Sequence, residues 1–145
     1  MGSLEQNREL FKQMLLKWNT HINLVSRQNP EKVFDELWEK AMEIENGLPE
    51  ELTRILDIGS GNGFPAIPIK LMRMHVDIKL LEPRKKRYNF LLYARTELSL
   101  YEGFNIYNVR WQEFTLPDYW LPEKILHQGI KLGEDFRRKF NLQSS

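Results

Sequence analysis

The stretch Asp57-Ile58-Gly59-Ser60-Gly61-Asn62-Gly63-Phe64 constrains this chain most. It follows a short β-prone run, Arg54 to Ile58, and precedes an apolar segment, Ala66 to Met74, that reads as a helix. Glycines at such a junction permit positive φ and let a ligand approach the backbone closely. The helix that follows offers unpaired N–H groups at its start. A phosphate-binding P-loop would end in Gly-Lys-Ser/Thr, which is absent. A dinucleotide fingerprint begun at Gly59 would need a small residue where Phe64 stands, and Phe64 blocks close packing at a pyrophosphate. This disfavours a nicotinamide-dependent oxidoreductase. A second acid, Glu82, ends the next predicted strand, 21 positions after Gly61. A carboxylate there can accept both hydroxyls of a ribose.

The rest of the chain supplies a frame for this loop. Val76 to Leu81 reads as a second strand and Arg84 to Leu100 as a helix, with Tyr88, Leu91, Leu92 and Leu98 on one side. Phe104 to Val109 alternates as a third strand. Strand, helix, strand, helix, strand at this spacing predicts a parallel βαβαβ unit. Upstream, Phe11, Met14, Leu15, Trp18 and Ile22 fall at helical spacing, which predicts a helix from Leu4 to His21. Asn29-Pro30 is a start signal, with Asn29 as cap and Pro30 at the first helical position. Val33, Phe34, Leu37, Trp38 and Ala41 then form a second amphipathic helix, closed near Asn46-Gly47. Trp18 and Trp38 lie on the apolar stripes and belong to the core. The expected organisation is a helical segment over 1–50, a ligand-binding βαβαβ unit over 51–114 and a divergent tail over 115–145. In the tail, Ile125, Leu126, Ile130 and Leu132 suggest a short helix interrupted by Gly129 and Gly133.

Composition narrows the chemistry. A chain of 145 residues suits one domain, and 41% apolar with 28% charged residues is ordinary for a globular protein. There is no cysteine, which excludes disulfides, thiolate metal sites and cysteine nucleophiles. His21, His75 and His127 are far apart in sequence, so a metal centre is not expected. The longest apolar runs are too short to cross a membrane. The start, MGSLEQNREL, lacks the basic-then-apolar order of a signal peptide, and the expected compartment is the cytoplasm. Net charge is only +1, so any nucleic-acid signal must be local. Arg84, Lys85, Lys86 and Arg87 open a predicted helix, where cations oppose the macrodipole at a few tenths of a kcal/mol each. Stability alone favours acids there, so a phosphate-contacting patch, which Arg95 and Arg110 could extend, is the preferred reading over a solvated helix face. Arg137-Arg138-Lys139 is a second basic run in the tail.

The acidic-x-Gly-x-Gly-x-Gly loop resembles motif one of the class I S-adenosylmethionine-dependent methyltransferases, whose loop embraces an amino-acid tail. Four segments sharpen the resemblance: LLKWNTHINLVS (Leu15 to Ser26), ILDIGSGNGFPAIPIKL (Ile55 to Leu71), LLEPRKKRYNFL (Leu80 to Leu91) and NVRWQEF (Asn108 to Phe114). In this order they resemble the bacterial small-subunit ribosomal RNA guanine-N7 methyltransferases, once called glucose-inhibited division protein B. The resemblance implies an α/β, Rossmann-like fold and S-adenosyl-L-methionine as cofactor. It implies a cofactor site of Asp57, Gly59, Ser60, Gly61, Gly63, Phe64, Glu82, Trp111 and Gln112. Gly59 and Phe64 would line the pocket, Glu82 would hold the ribose, and Trp111 and Gln112 would flank the adenine. Arg84, Lys85, Lys86, Arg87 and Arg110 would meet ribosomal RNA in the small subunit. Guanine N7 carries a free lone pair, so transfer needs alignment more than an acid or base, and no catalytic residue is assigned.

The chain departs from the pattern in places. Gln112 stands where the family carries an acid, Ala66 where it carries a glycine, and ELWEKAMEI where it carries His-x-x-Asp-Ser. After Phe114 the match stops, and the family's fourth strand and Ser-Arg-Ala segment are not found. The fold is therefore expected to be incomplete at the carboxyl end, with a non-catalytic cofactor- or RNA-binding form as the alternative function. In class I methyltransferases the first strand is central. Without a fourth strand, Arg54–Ile58 becomes an exposed apolar edge, which predicts a homodimer or a docked tail that covers it.

Overall fold

The computed structural model describes residues 2–59, 61–127 and 133–140. The first helix, α1 (Leu4–Trp18), begins at a reciprocal cap: Gln6 N–H donates to Ser3 Oγ at 3.1 Å and Ser3 N–H to Gln6 Oε1 at 2.8 Å. It stops before His21 because the Asn19 side chain draws the chain into a turn, accepting from Leu24 N at 2.9 Å and Val25 N at 3.0 Å. The second helix, α2 (Pro30–Asn46), starts and ends where the signals place it. Its cap differs from expectation. Asn29 adopts φ 55° and makes no side-chain cap bond, so Pro30, with its preset φ, marks the start.

The glycine loop joins β1 (Arg54–Ile58) to α3 (Ala66–Met72). Then follow β2 (Asp77–Leu81), α4 (Lys85–Glu97), β3 (Phe104–Tyr107), a 3₁₀ turn (Trp111–Glu113), β4 (Lys124–His127) and α5 (Glu134–Lys139). The four strands form one parallel sheet in the order β3-β2-β1-β4.

β4 corrects two expectations. Lys124–His127 is a strand, not the start of a helix, and Gly129, Ile130 and Leu132 lie outside the described residues. Ile55 to Ile58 pair with Lys124 to His127, so β1 is not an edge and the reason given for a covering homodimer falls away. The strand is short, and partners elsewhere define its register. Glu123 N donates to Arg54 O at 3.0 Å, and Arg54 Nε to Leu121 O at 2.6 Å. Trp120 Nε1 donates to Asp77 Oδ2 at 2.9 Å, with the Lys79 ammonium 4.9 Å from the indole centroid.

Both sheet faces are covered, as a parallel sheet requires. On one face Ile55, Ile78, Leu80, Phe104 and Leu126 meet the four helices α1 to α4 through Phe11, Phe34, Ile67 and Phe90. On the other, Leu56, Ile58 and Leu81 meet Phe114, Trp120, Phe136 and Phe140. Burial of large apolar side chains is worth about 1.5–3 kcal/mol each, and these four aromatic rings, with the β4 pairing, are the contacts that hold the tail on the sheet.

Glu123 locks the entry to β4. Its Oε1 accepts from Thr53 Oγ1 at 2.6 Å, Thr53 N at 3.0 Å and Arg54 N at 3.1 Å. The Thr53 hydroxyl first, then the backbone donors and Arg54, hold its carboxyl below the ordinary value of 4.5. A depressed folded-state value means that this contribution is complete above pH 4.5 and is lost as pH falls through the lower value. Glu123→Gln is therefore expected to lower the thermal midpoint at neutral pH, with the gap from wild type closing below that pH. A gap that persists in acid would remove the charged lock.

Candidate functional site

The strand order reverses beside β1: β2 and β3 lie on one side and β4 on the other. In open α/β sheets the crevice at the carboxyl ends of strands around such a reversal is where ligands bind. The glycine loop leaves β1 at this point. Gly59 and Gly63 have φ of 84° and 85°, a region that side-chain-bearing residues rarely adopt. Gly59 N donates to Leu81 O at 2.9 Å, tying the loop to the end of β2. Gly61 sits where a Cβ would lie 2.8 Å from Glu82 Oε1 and against the Arg87 stem. The loop thus passes so close to Glu82 that only glycine fits.

Glu82 is fully buried at the end of β2. Its Oε2 accepts from Arg84 N at 2.7 Å and from Arg84 Nε at 3.2 Å. Its Oε1 has no hydrogen-bond partner among the described residues and faces Gly61. Leaving a buried acceptor unpaired costs about 1–3 kcal/mol, more when it is charged. Lying at the carboxyl end of β2 beside the reversal of strand order, this oxygen is free to accept from a donor outside the protein. Asn108 fixes the main chain behind it, donating through Nδ2 to Glu82 O at 2.9 Å and Pro83 O at 3.1 Å.

Next to Glu82 opens a cavity of about 320 Å³, bounded by Ile58, Gly59, Leu81, Arg84, Trp111 and Gln112 among others. Trp111 is braced from behind by Phe136 and Phe140, with ring centroids 4.9 and 6.2 Å away. Lys139 Nζ donates to Gln112 O at 2.8 Å. A flat apolar wall with a polar amide at its rim suits an aromatic heterocycle.

Gly59, Trp111 and Gln112 line this cavity, while Gly61 faces the buried Glu82 Oε1 beside it. Asp57 is buried within β1, and Ser60 lies outside the described residues. Phe64 is placed differently from expectation. Its ring packs on Phe11 and Phe34 at 5.1 and 5.3 Å and is 1% exposed, so it belongs to the helical core rather than to the cavity beside Glu82. The Asn62 side chain accepts from Phe64 N at 3.0 Å at this turn.

The basic cluster also divides. Arg84 is tied to Glu82. Arg87 turns inward over Gly61 and donates to Asn23 O at 2.6 Å. Burial, then the neighbouring Arg84, pulls its pKa below the ordinary value. Lys85, Lys86 and Arg110 are exposed, with Lys85 over the Tyr88 ring at 5.0 Å. Sequence reasoning missed that Asn19, Asn62 and Arg87 together pin residues 19–25 onto the glycine loop. The asparagines of that segment were the available signal. Among the described residues no group of three or more His, Cys, Asp or Glu is placed to hold a metal ion, and no helix is long and apolar enough to cross a membrane.

Two glycines of the loop separate conformational strain from space. At Gly63 a Cβ would lie 2.6 Å from Ile67 Cδ1, whereas Gly59 has nothing within 4 Å. Gly59→Ala is expected to cost about 1–2 kcal/mol from positive φ alone. Gly63→Ala should cost more, because the clash adds to the same strain. Urea unfolding of the two variants checks the order, and equal losses would mean that the space around Gly63 is adaptable.

Comparison with known proteins bears on this geometry. The family model described as GidB, rRNA small subunit methyltransferase G, matches residues 4–113. Ribosomal RNA small subunit methyltransferase G of Streptococcus pneumoniae serotype 19F (strain G54) is 34% identical over 115 residues, covering 76% of this chain and 48% of that protein. The protein of that name from Streptococcus equi subsp. zooepidemicus (strain MGCS10565) is 36% identical over 112 residues, covering 76% and 46%. The chain spans about half the length of the curated relatives it matches. Among solved structures, StiE O-MT residues 961-1257 superposes with a TM-score of 0.57 at 11% identity, over 69% of this chain and 36% of that one. A human methyltransferase 10 domain containing protein gives 0.53 at 11% identity, over 92% and 65%. The likeness to these two is one of fold, and the fold is α/β and Rossmann-like, of the class I methyltransferase type.

Proposed function

This chain belongs to the GidB family, and we propose from that premise that it binds S-adenosylmethionine at the β1–β2 crevice and serves methyl transfer to guanine N7 in small-subunit ribosomal RNA. The unpaired, buried Oε1 of Glu82 carries the reading. Glu82 offers that oxygen to a ribose hydroxyl while Arg84 holds the other. The backbone of Gly59 and Gly61 lies open to the amino-acid part, with Gly63 shaping the turn. Trp111 and Gln112 flank the adenine, and the Gln112 side-chain carbonyl can accept from its amino group. The bound cofactor supplies an electrophilic methyl on a sulfonium.

The acceptor nitrogen needs no deprotonation, so the task of the chain is alignment and exclusion of water. Among the expected RNA contacts, exposed Lys85, Lys86 and Arg110 suit phosphate, while Arg84 and Arg87 serve the crevice itself. The proposed partner is ribosomal RNA in the small subunit, met in the cytoplasm.

Calorimetric titration with S-adenosylhomocysteine, and separately with NAD, tests the cofactor. Binding of the first and not the second is expected. Gly61→Val should abolish it, because the side chain fills the space between the loop and Glu82. Glu82→Gln should weaken it about ten- to a hundredfold, the equivalent of roughly 1.5–3 kcal/mol for a charged hydrogen bond. Equal binding by wild type and Gly61→Val would put the pocket elsewhere.

RNA contact is read by salt dependence. Each phosphate neutralised adds about 0.7–0.9 to the slope of log affinity against log salt. Lys85→Gln with Lys86→Gln is expected to lower that slope by roughly 1.5 for a small-subunit RNA fragment. An unchanged slope would make these lysines a solvated helix end.

A further inference from the structure

A second cavity, of about 300 Å³, lies on the other side of β1, at the reversal itself. The described residues around it include Leu37, Lys40, Ala41 and Ile44 from α2, Phe64-Pro65 from the end of the glycine loop, and Leu126-His127 from the end of β4. Its size is at the lower bound for ligand sites, roughly 300 Å³. The walls are mostly apolar, and the polar side chains among the described residues that line it are the exposed Lys40 and His127, of which Lys40 is an ammonium.

Its position relates it to the crevice. Ile58, which bounds the first cavity, is the register partner of His127, which bounds the second. The glycine loop starts at the first cavity, with Gly59, and ends at the second, with Phe64. A ligand with its ring against Trp111 and its ribose at Glu82 therefore extends its remaining part along the loop, towards the second cavity. A group that receives something from that ligand has to enter from the far end of the loop.

We propose that the cavity between α2 and the carboxyl end of β4 receives the acceptor purine of the RNA, with Lys40 selecting a ring that presents a carbonyl oxygen at its edge. This rests on the cofactor reading above. A planar base is apolar on its faces and polar on its edges, which matches an apolar slot with polar residues, Lys40 and His127, at the rim. An ammonium donates and cannot accept. It pairs with guanine O6, and it meets the adenine amino group at the same position as donor against donor. Lys40 is thereby a specificity residue, and Leu37, Ala41, Ile44 and Leu126 are the faces between which the base lies. The base must leave its stack to enter.

The test follows the methyl resonances of Leu37, Ala41, Ile44 and Leu126 by NMR, with S-adenosylhomocysteine saturating the first site. Guanosine 5′-monophosphate is expected to shift them, and adenosine 5′-monophosphate to need severalfold higher concentration. Lys40→Gln should weaken the guanine response about tenfold and erase the preference, with S-adenosylhomocysteine affinity unchanged. Leu37→Trp, which fills the slot, should abolish the response with the same affinity retained. Methyl groups that ignore guanosine monophosphate while S-adenosylhomocysteine is bound would overturn this assignment alone and leave the cavity as packing surface. A guanine preference that survives Lys40→Gln would overturn the role of Lys40. Failure of S-adenosylhomocysteine to bind at all would overturn the cofactor reading, and this one with it.

Discussion

β1 is hydrogen-bonded along both edges and buried on both faces, and this confinement shapes everything around it. Arg54 to Ile58 pair with Asp77 to Leu81 on one side, and Ile55 to Ile58 with Lys124 to His127 on the other. Four of its five residues are buried, and Ile58, at its carboxyl end, bounds the first cavity. The carboxyl end is the place where its backbone opens. There the chain has to turn into α3 without steric conflict with β2, and the positive φ at Gly59 and Gly63 does this. The two cavities flank that turn because the strand order reverses there, and the interleaved helices cannot cover the gap.

Glu82 shows how a buried charge is tolerated at such a point. A carboxylate out of water is costly unless it is paired. The Arg84 guanidinium and the amide at the head of α4 satisfy one oxygen. The same carboxylate supplies negative charge at the head of α4. That offsets the basic residues which, judged by the macrodipole alone, had looked so unfavourable there. Two of the four cations, Arg84 and Arg87, have protein partners, and the exposed Lys85 and Lys86 are left to meet phosphate.

Much of the fold was legible because local signals agreed with each other. The β1 run, the glycines and Glu82 lie within one βαβ unit, where register and loop length leave little freedom, and the structure sets them as the spacing required. The carboxyl end was illegible for a physical reason. Lys124–His127 is too short for its alternation to stand out, and partners distant in sequence hold it: Thr53, Arg54, and Asp77 through Trp120. Phe64 misled in another way. A large residue after a glycine loop can turn towards ligand or core, and the Phe11 and Phe34 rings of the helical segment decided it. Arg87 sits in a basic run whose local pattern points to phosphate, yet its carbonyl partner, Asn23, lies 64 residues earlier.

The inward Arg87 leads to one further step about the crevice. Its stem lies against Gly61, beside the unpaired oxygen of Glu82, and its guanidinium ties α4 to the segment after α1. Burial and the adjacent Arg84 make that cation costly to keep where it is. The hydrogen bond to Asn23 O and the attraction of Glu82 hold it nonetheless. A ligand hydroxyl that reaches Glu82 Oε1 supplies a partner which Arg87, committed to Asn23, does not. The segment over residues 19–25 also packs against the loop through Asn62. Gly61, Glu82 and the Arg87 stem thus lie in close approach, and the segment over residues 19–25 is held to them by one arginine and one asparagine. The segment between α1 and α2 is thereby tied to the glycine loop through Asn62 and to α4 through Arg87, which fixes the position of the loop beside Glu82.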